Sequence, residues 1–247
     1  MSTDEDSKVA VVIAAGGSGA RFSSSEQQAP KQFLNLHGRP LYVWSLLTCI
    51  KHELVNRIVI VTPSAMLESL RVELAQLIEE QSLSKEIEVT AGGASRQASV
   101  FAGLKLLGSS GVKPDYVLIH DAARPFLDFA TLDRVIDAVI KYGACTVGRP
   151  VTDTIKRVKE SAVVETLPRQ DLIAVQTPQA GRLYDLLQAH EAALSAGFAS
   201  TDDASLLEWA GKKVFVVDGP VNNLKVTDPL DLILAEALSG YLLGDRL

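Results

Sequence analysis

The chain has only two cysteines in 247 residues, Cys49 and Cys145, both in apolar contexts and without C-x-x-C spacing. That scarcity excludes a disulfide framework and points to buried thiols in a reduced, cytoplasmic compartment. Histidine is also scarce: His37, His52, His120 and His190 are scattered and cluster with no cysteine, which argues against a zinc site. No apolar run approaches the roughly 18 residues of a membrane span. Basic residues are outnumbered, 24 Lys and Arg against 30 Asp and Glu, for a net charge of −6. Such a balance argues against nucleic acid or an anionic membrane as a partner. The G-x-S-x-G elbow of serine hydrolases is missing, as are internal repeats and low-complexity tracts. The opening MSTDEDSK is short and acidic, unlike a targeting peptide, and is expected to be a disordered lead-in over residues 1–8.

What is present is an ordinary globular composition, 47% apolar and 22% charged. The length suits one α/β domain spanning residues 1–247. The most informative stretch is VAVVIAAGGSGARFSSSEQQAPKQ, from Val9 to Gln32. Its apolar run reads as a buried strand ended abruptly by glycines. Gly16, Gly17 and Gly19 allow a tight turn and close approach of a ligand, and Arg21 and Lys31 add cations. Exposed N–H groups beside cations form an anion site, and a nucleoside triphosphate is the natural small polyanion. It is not a Walker A loop, because no Lys-Ser or Lys-Thr follows. Nor is it a dinucleotide fingerprint, because Phe22 replaces the third glycine.

Downstream, strands are expected over 57–62, 86–90, 115–119, 145–148 and 213–217. Helices are expected after Pro40 and over 64–81, 96–107, 131–142, 182–196 and 203–210, with a last one starting near Thr227-Asp228-Pro229. This alternation implies a mostly parallel, twisted sheet flanked by helices, with right-handed crossovers. Between 150 and 170 the pattern changes to two polar/apolar alternating segments around Lys-Glu-Ser. They read as a protruding β-hairpin arm of the kind a second subunit covers.

Ligands of such sheets sit beyond the carboxyl ends of the strands. The polar segments there are the glycine loop, GGASRQAS (92–99), HDAARP (120–125), TDTIK (152–156) and NNLKVT (222–227). Asp121 suits a Mg²⁺ ligand alongside substrate phosphates, or equally a helix cap or a partner for Arg124. His120 reads as structural, and Trp44 and Trp209 as core.

AAGGSGARF…PKQF, HDAARPF, DTIKR, QTPQ, TDDAS and NLKVT run in this order over nearly the whole chain. Together they resemble the 2-C-methyl-D-erythritol 4-phosphate cytidylyltransferase family. The resemblance implies a Rossmann-like nucleotidyltransferase fold, a homodimer joined through the β-arm, and CTP and methylerythritol phosphate as substrates in the non-mevalonate isoprenoid pathway. By matching motif, Ala14, Ala15, Gly16 and Gly19 would wrap the nucleotide. Gly93, Ala94 and Ser99 would face its base or ribose. Arg21, Lys31 and Lys225 would hold the triphosphate and the charge developing at the α-phosphorus. Asp121 would hold Mg²⁺ or another divalent cation. Asp121, Arg124, Thr154, Arg169, Thr177 and Thr201 would meet the methylerythritol phosphate, Thr154 and Arg169 coming from the neighbour's arm. The glycine loop is one residue longer than the family's A-A-G-x-G-x-R, and the stretch from Arg21 to Lys31 is longer too. Two other readings compete: a ribitol-5-phosphate cytidylyltransferase of the same fold, and a non-catalytic nucleotide-binding regulator.

Overall fold

The computed structural model describes residues 8–16, 33–80 and 85–242. At its centre lies β1 (Val9–Ala14), whose first five residues are buried. Two short strands, β2 (Asn35–Leu36) and β3 (Arg39–Pro40), form a small ribbon leading into α1 (Leu41–Lys51), buried over all but its last residue. The strand β4 (Val55–Thr62), a 3₁₀ turn and α2 (Leu67–Glu80) follow. Next come β5 (Glu86–Ala91), α3 (Arg96–Ser109), β6 (Tyr116–Asp121) and α4 (Phe129–Tyr142). Gly143 ends α4 at φ 86°, a left-handed conformation that glycine adopts without steric cost, and its N–H reaches Val139 O at 2.8 Å.

After β7 (Ala144–Pro150), the expected arm is a hairpin of β8 (Lys156–Lys159) and β9 (Ala162–Thr166), every residue exposed. Glu160 and Ser161 turn it with positive φ at both positions, the twist that suits a two-residue hairpin loop. A strand absent from the sequence-based expectation then appears. This is β10 (Ile173–Arg182), antiparallel to both β6 and β7. Helices α5 (Leu183–Ala196) and α6 (Asp203–Trp209), edge strand β11 (Phe215–Asp218) and α7 (Pro229–Leu242) complete the fold. Asp228 accepts from the Asp231 N–H at 3.0 Å just before Pro229, as the expected cap requires.

The seven strands lie in the order β11-β7-β10-β6-β1-β4-β5, and only β10 runs against the rest. Alternation along β1 sorts the helices into two layers. Val9, Val11 and Ile13 pack with α1, α2 and α4, while Ala10 and Val12 pack with α3, α5 and α6. Both cysteines are buried and unpaired, and burial pushes each thiol up to about 12, so neither is a nucleophile. Trp44 is core, whereas Trp209 is 41% exposed and stacks on Phe198, which corrects its placement inside. Lys8 is anchored rather than loose: its N–H donates to Asp115 Oδ2 at 2.9 Å. Residues 1–7 of the expected lead-in lie outside the described residues.

Candidate active site

Strand order reverses at β1, flanked by β4 on one side and β6 on the other, so a crevice opens past its carboxyl end. The register pairs Ala14, last of β1, with Asp121, last of β6. His120 and Asp121 therefore close the strand instead of following it, since β6 runs two residues past the expected end. Ala14 O accepts from the Ala122 N–H at 3.2 Å, and the Ala15 N–H donates to Val61 O at 2.8 Å. These bonds set the start of the glycine loop beside the acidic strand end. Gly17, Gly19, Arg21 and Lys31 lie outside the described residues.

Gly16 has no room for a side chain, since a Cβ there would stand 2.6 Å from Ser99 Oγ. Gly92 is equally confined, at 2.7 Å from the same oxygen. Ser99, expected at the base or ribose, is instead buried at the crossing of these two glycines. Its hydroxyl accepts from the Gly93 N–H at 3.2 Å and lies 3.3 Å from Gly93 O. Gly93 and Ala94 are exposed ahead of α3, whose N-cap Ser95 accepts from the Ala98 N–H at 3.0 Å.

Charge gathers on Asp121. Arg96 Nε donates to its Oδ1 at 3.0 Å and Lys225 Nζ to its Oδ2 at 2.6 Å. Burial alone would raise this carboxyl, but the Arg96 and then the Lys225 cation outweigh it and hold the group well below the usual carboxylate range. The aspartate is therefore an anion at any working pH. Mg²⁺ commonly takes one or two protein carboxylates and completes its shell with phosphate and water. A single ionised carboxylate at the mouth of the crevice fits that role. No group of three metal-ligating side chains exists among the described residues.

The segment carrying Lys225 is tied to the acidic strand end. Val226 N–H donates to Ala123 O at 2.8 Å, and Arg124 Nη1 donates to Asn223 O at 2.6 Å. Asn223 Nδ2 donates to Thr177 O at 2.8 Å and to Gln176 Oε1 at 3.2 Å. Thr177, expected at the substrate, is buried; its hydroxyl accepts from the Asp121 N–H at 3.1 Å and lies 3.1 Å from His120 Nδ1. Burial holds His120 neutral, down at about 4. The consistent pattern is Thr177 O–H donating to Nδ1 while Nε2–H donates to Arg124 O at 3.0 Å. His120 is thus structural, as its position suggested.

Thr154 and Arg169 are exposed on or beside the arm, where Arg169 Nη1 donates to Thr152 O at 2.7 Å. Thr201 is exposed just before α6. Sequence reasoning assigned no role to Arg96, Asp203 or Gln179. A signal for the first was available: Arg96 opens a helix, where the dipole disfavours a cation, so carboxylate partners were required. They are Asp121 and Asp203, the latter 2.7 Å from Arg96 Nη1.

A family model described as 2-C-methyl-D-erythritol 4-phosphate cytidylyltransferase (IspD) matches residues 9–240. The enzyme of that name from Halalkalibacterium halodurans is 42% identical over 228 residues, 92% of this chain and 95% of its own. The Geobacillus kaustophilus protein of the same name is 43% identical over 227 residues, again 92% of this chain and 95% of its own. Among solved structures, the 2-C-methyl-D-erythritol 4-phosphate cytidylyltransferase of Thermus thermophilus is similar at TM-score 0.74 and 31% identity, covering 94% of this chain and 98% of its own. The 4-diphosphocytidyl-2C-methyl-D-erythritol synthase of Anaerococcus prevotii superposes at TM-score 0.78 with 27% identity, over 94% of this chain and 97% of its own.

Proposed function

The chain belongs to the 2-C-methyl-D-erythritol 4-phosphate cytidylyltransferase family, and we propose on that footing that its crevice transfers a cytidylyl group from CTP to 2-C-methyl-D-erythritol 4-phosphate. The products are 4-diphosphocytidyl-2-C-methyl-D-erythritol and pyrophosphate, a step of isoprenoid biosynthesis. The observation that carries this reading is the meeting of Asp121, Lys225 and the end of β1 at the strand-order switch.

A phosphate oxygen of the polyol attacks the α-phosphorus of CTP in line, and the bond to pyrophosphate breaks. Two polyanions must approach each other, so catalysis consists of positioning and charge stabilisation, with no protein nucleophile. Ala14, Ala15, Gly16 and Gly19 wrap the nucleotide, and Gly93 and Ala94 face its base from ahead of α3. Arg21 and Lys31 hold the triphosphate. Lys225 leaves Asp121 to meet the phosphate between the two substrates. Asp121 would hold a divalent cation, which would supply Lewis-acid neutralisation of the phosphate oxygens. Arg124 and Thr201 receive the polyol phosphate. Thr154 and Arg169 come from the neighbour's arm in a homodimer. Thr177 and Ser99 act from beneath, Thr177 by orienting the Asp121 backbone and Ser99 by fixing Gly93.

Pyrophosphate release from CTP, measured with each polyol phosphate in turn, tests the reading. Methylerythritol phosphate is expected to support turnover and ribitol 5-phosphate to support little. A preference for ribitol phosphate would move the chain to the sister activity, and release with neither would leave a nucleotide-binding regulator.

A further inference from the structure

We propose that Arg96 is a positioning residue for the transfer reaction. It fixes one oxygen of Asp121 and leaves the other as the edge offered to Lys225 and the cation. The inference rests on the cytidylyltransferase reading above and extends it to a residue with no role in that reading.

The geometry carries the argument. Arg96 is the first residue of α3, Asp121 the last of β6 and Asp203 the first of α6. One guanidinium joins all three elements: Nε meets Asp121 Oδ1 at 3.0 Å, and Nη1 meets Asp203 Oδ2 at 2.7 Å. A bidentate grip on Asp203 alone would be the natural use of a buried arginine fork. Here the fork is split, and half of it is spent on the carboxylate at the crevice mouth. Asp121 Oδ1 is thereby occupied by a group that cannot give up its charge or, being anchored at Asp203, swing aside. Oδ2 is held by Lys225, whose side chain is 37% exposed and able to move. One oxygen is fixed and the other exchangeable.

The anchor is itself rigid. Asp203 is 2% exposed, and its N–H donates to Gln179 Oε1 at 2.8 Å. His190 stands 3.9 Å from Asp203 Oδ1 and stacks on Phe101, ring centroids 5.3 Å apart. The arginine cannot follow Asp121, so Asp121 is held relative to α6. Thr201 and Asp202 immediately precede that helix, which puts the expected polyol-phosphate contact in register with the carboxylate.

A structural role would consist of neutralising Asp203, and removing both charges together isolates the difference. Purified full-length R96Q/D203N is compared with D203N by titration of Mn²⁺ in the presence of CTP, by kcat, and by far-UV circular dichroism. Relative to D203N, the double variant is expected to bind Mn²⁺ about tenfold or more weakly and to lose kcat by a similar factor, the usual effect of losing a partner that orients a metal-binding carboxylate. Equal Mn²⁺ affinity and equal kcat in the two variants would overturn the proposal. Should the double variant not fold, Arg96→Lys gives the second reading, since a lysine keeps the charge but lacks the rigid planar fork that fixes Asp121 and Asp203 at set positions. A roughly tenfold loss of Mn²⁺ affinity with an unchanged spectrum supports the role, and wild-type affinity refutes it. Failure of wild-type protein to release pyrophosphate would instead sink the underlying reading, independently of these titrations.

Discussion

At the scale of single residues, burial decides which groups can carry charge. His190 is 1% exposed, and burial, assisted by the Arg96 cation, lowers it from about 6.5 to about 4. Its folded state therefore refuses a proton that the unfolded chain accepts between those values. Stability from this source is complete above about pH 6.5 and falls as the solution is acidified toward pH 4. Between pH 7.5 and 5 the loss is about 2 kcal/mol, because each pH unit crossed below 6.5 costs roughly 1.4 kcal/mol. His190→Phe, which can keep the stack on Phe101, is expected to lose about that much less than wild type over the same interval in urea unfolding. Parallel losses in the two proteins would show that His190 does not contribute. Single residues were also where the sequence was most and least legible. Asp121 and Lys225 stood out because each sits in a polar motif just past an extended segment. Thr177 and Ser99 look identical to ligand-facing hydroxyls in one dimension, and only burial shows that both face inward.

At the scale of elements, helices with a clear apolar stripe were foreseeable, and β10 was not. Its buried half reads Gln176-Thr177-Pro178-Gln179-Ala180-Gly181, which has neither alternation nor β-branched residues in series, and contains a proline. A buried strand of this composition persists because its polar groups find partners across chain distances that no local pattern encodes. Gln179 is the fullest case. Its Oε1 accepts from the Asp203 and Ala204 N–H groups at 2.8 and 3.1 Å. Its Nε2 donates to Asp202 Oδ2 at 2.7 Å and Thr146 Oγ1 at 3.1 Å. One amide thus ties β7 to β10 and caps the start of α6, next to Thr201. Gln179→Ala strands two helix N–H donors in a buried place and is expected to cost about 2 kcal/mol or more in urea unfolding. It should also raise KM for the polyol phosphate more than KM for CTP. A loss below about 0.5 kcal/mol would mean that water replaces the amide without cost.

At the scale of the whole molecule, a protein of net charge −6 that brings two polyanions together needs cations concentrated locally, the role proposed for Arg21, Lys31 and Lys225. Among the described residues the arm is a separate two-stranded sheet, β8 against β9. Val158, Val163 and Val164 are more than half exposed on a two-stranded ribbon, which is marginal alone in water. The second copy proposed above would cover it and would bring Thr154 and Arg169 to the site that carries Lys225 and Asp121 in the first. Mixing two inactive variants tests this directly. In Arg169→Ala the body is intact and the arm defective, whereas in Lys225→Ala the arm is intact and the body defective. If sites are shared across a two-fold dimer, random exchange of subunits makes half of the dimers mixed, each with one complete site. Activity should then recover to about one quarter of wild type. If each chain serves its own site, no subunit exchange can repair either defect, and the mixture stays as inactive as its components. Refolding the two variants together with different affinity tags and isolating doubly tagged dimers verifies that mixed dimers have formed, so a silent preparation of mixed dimers would exclude an arm working in the neighbour's site.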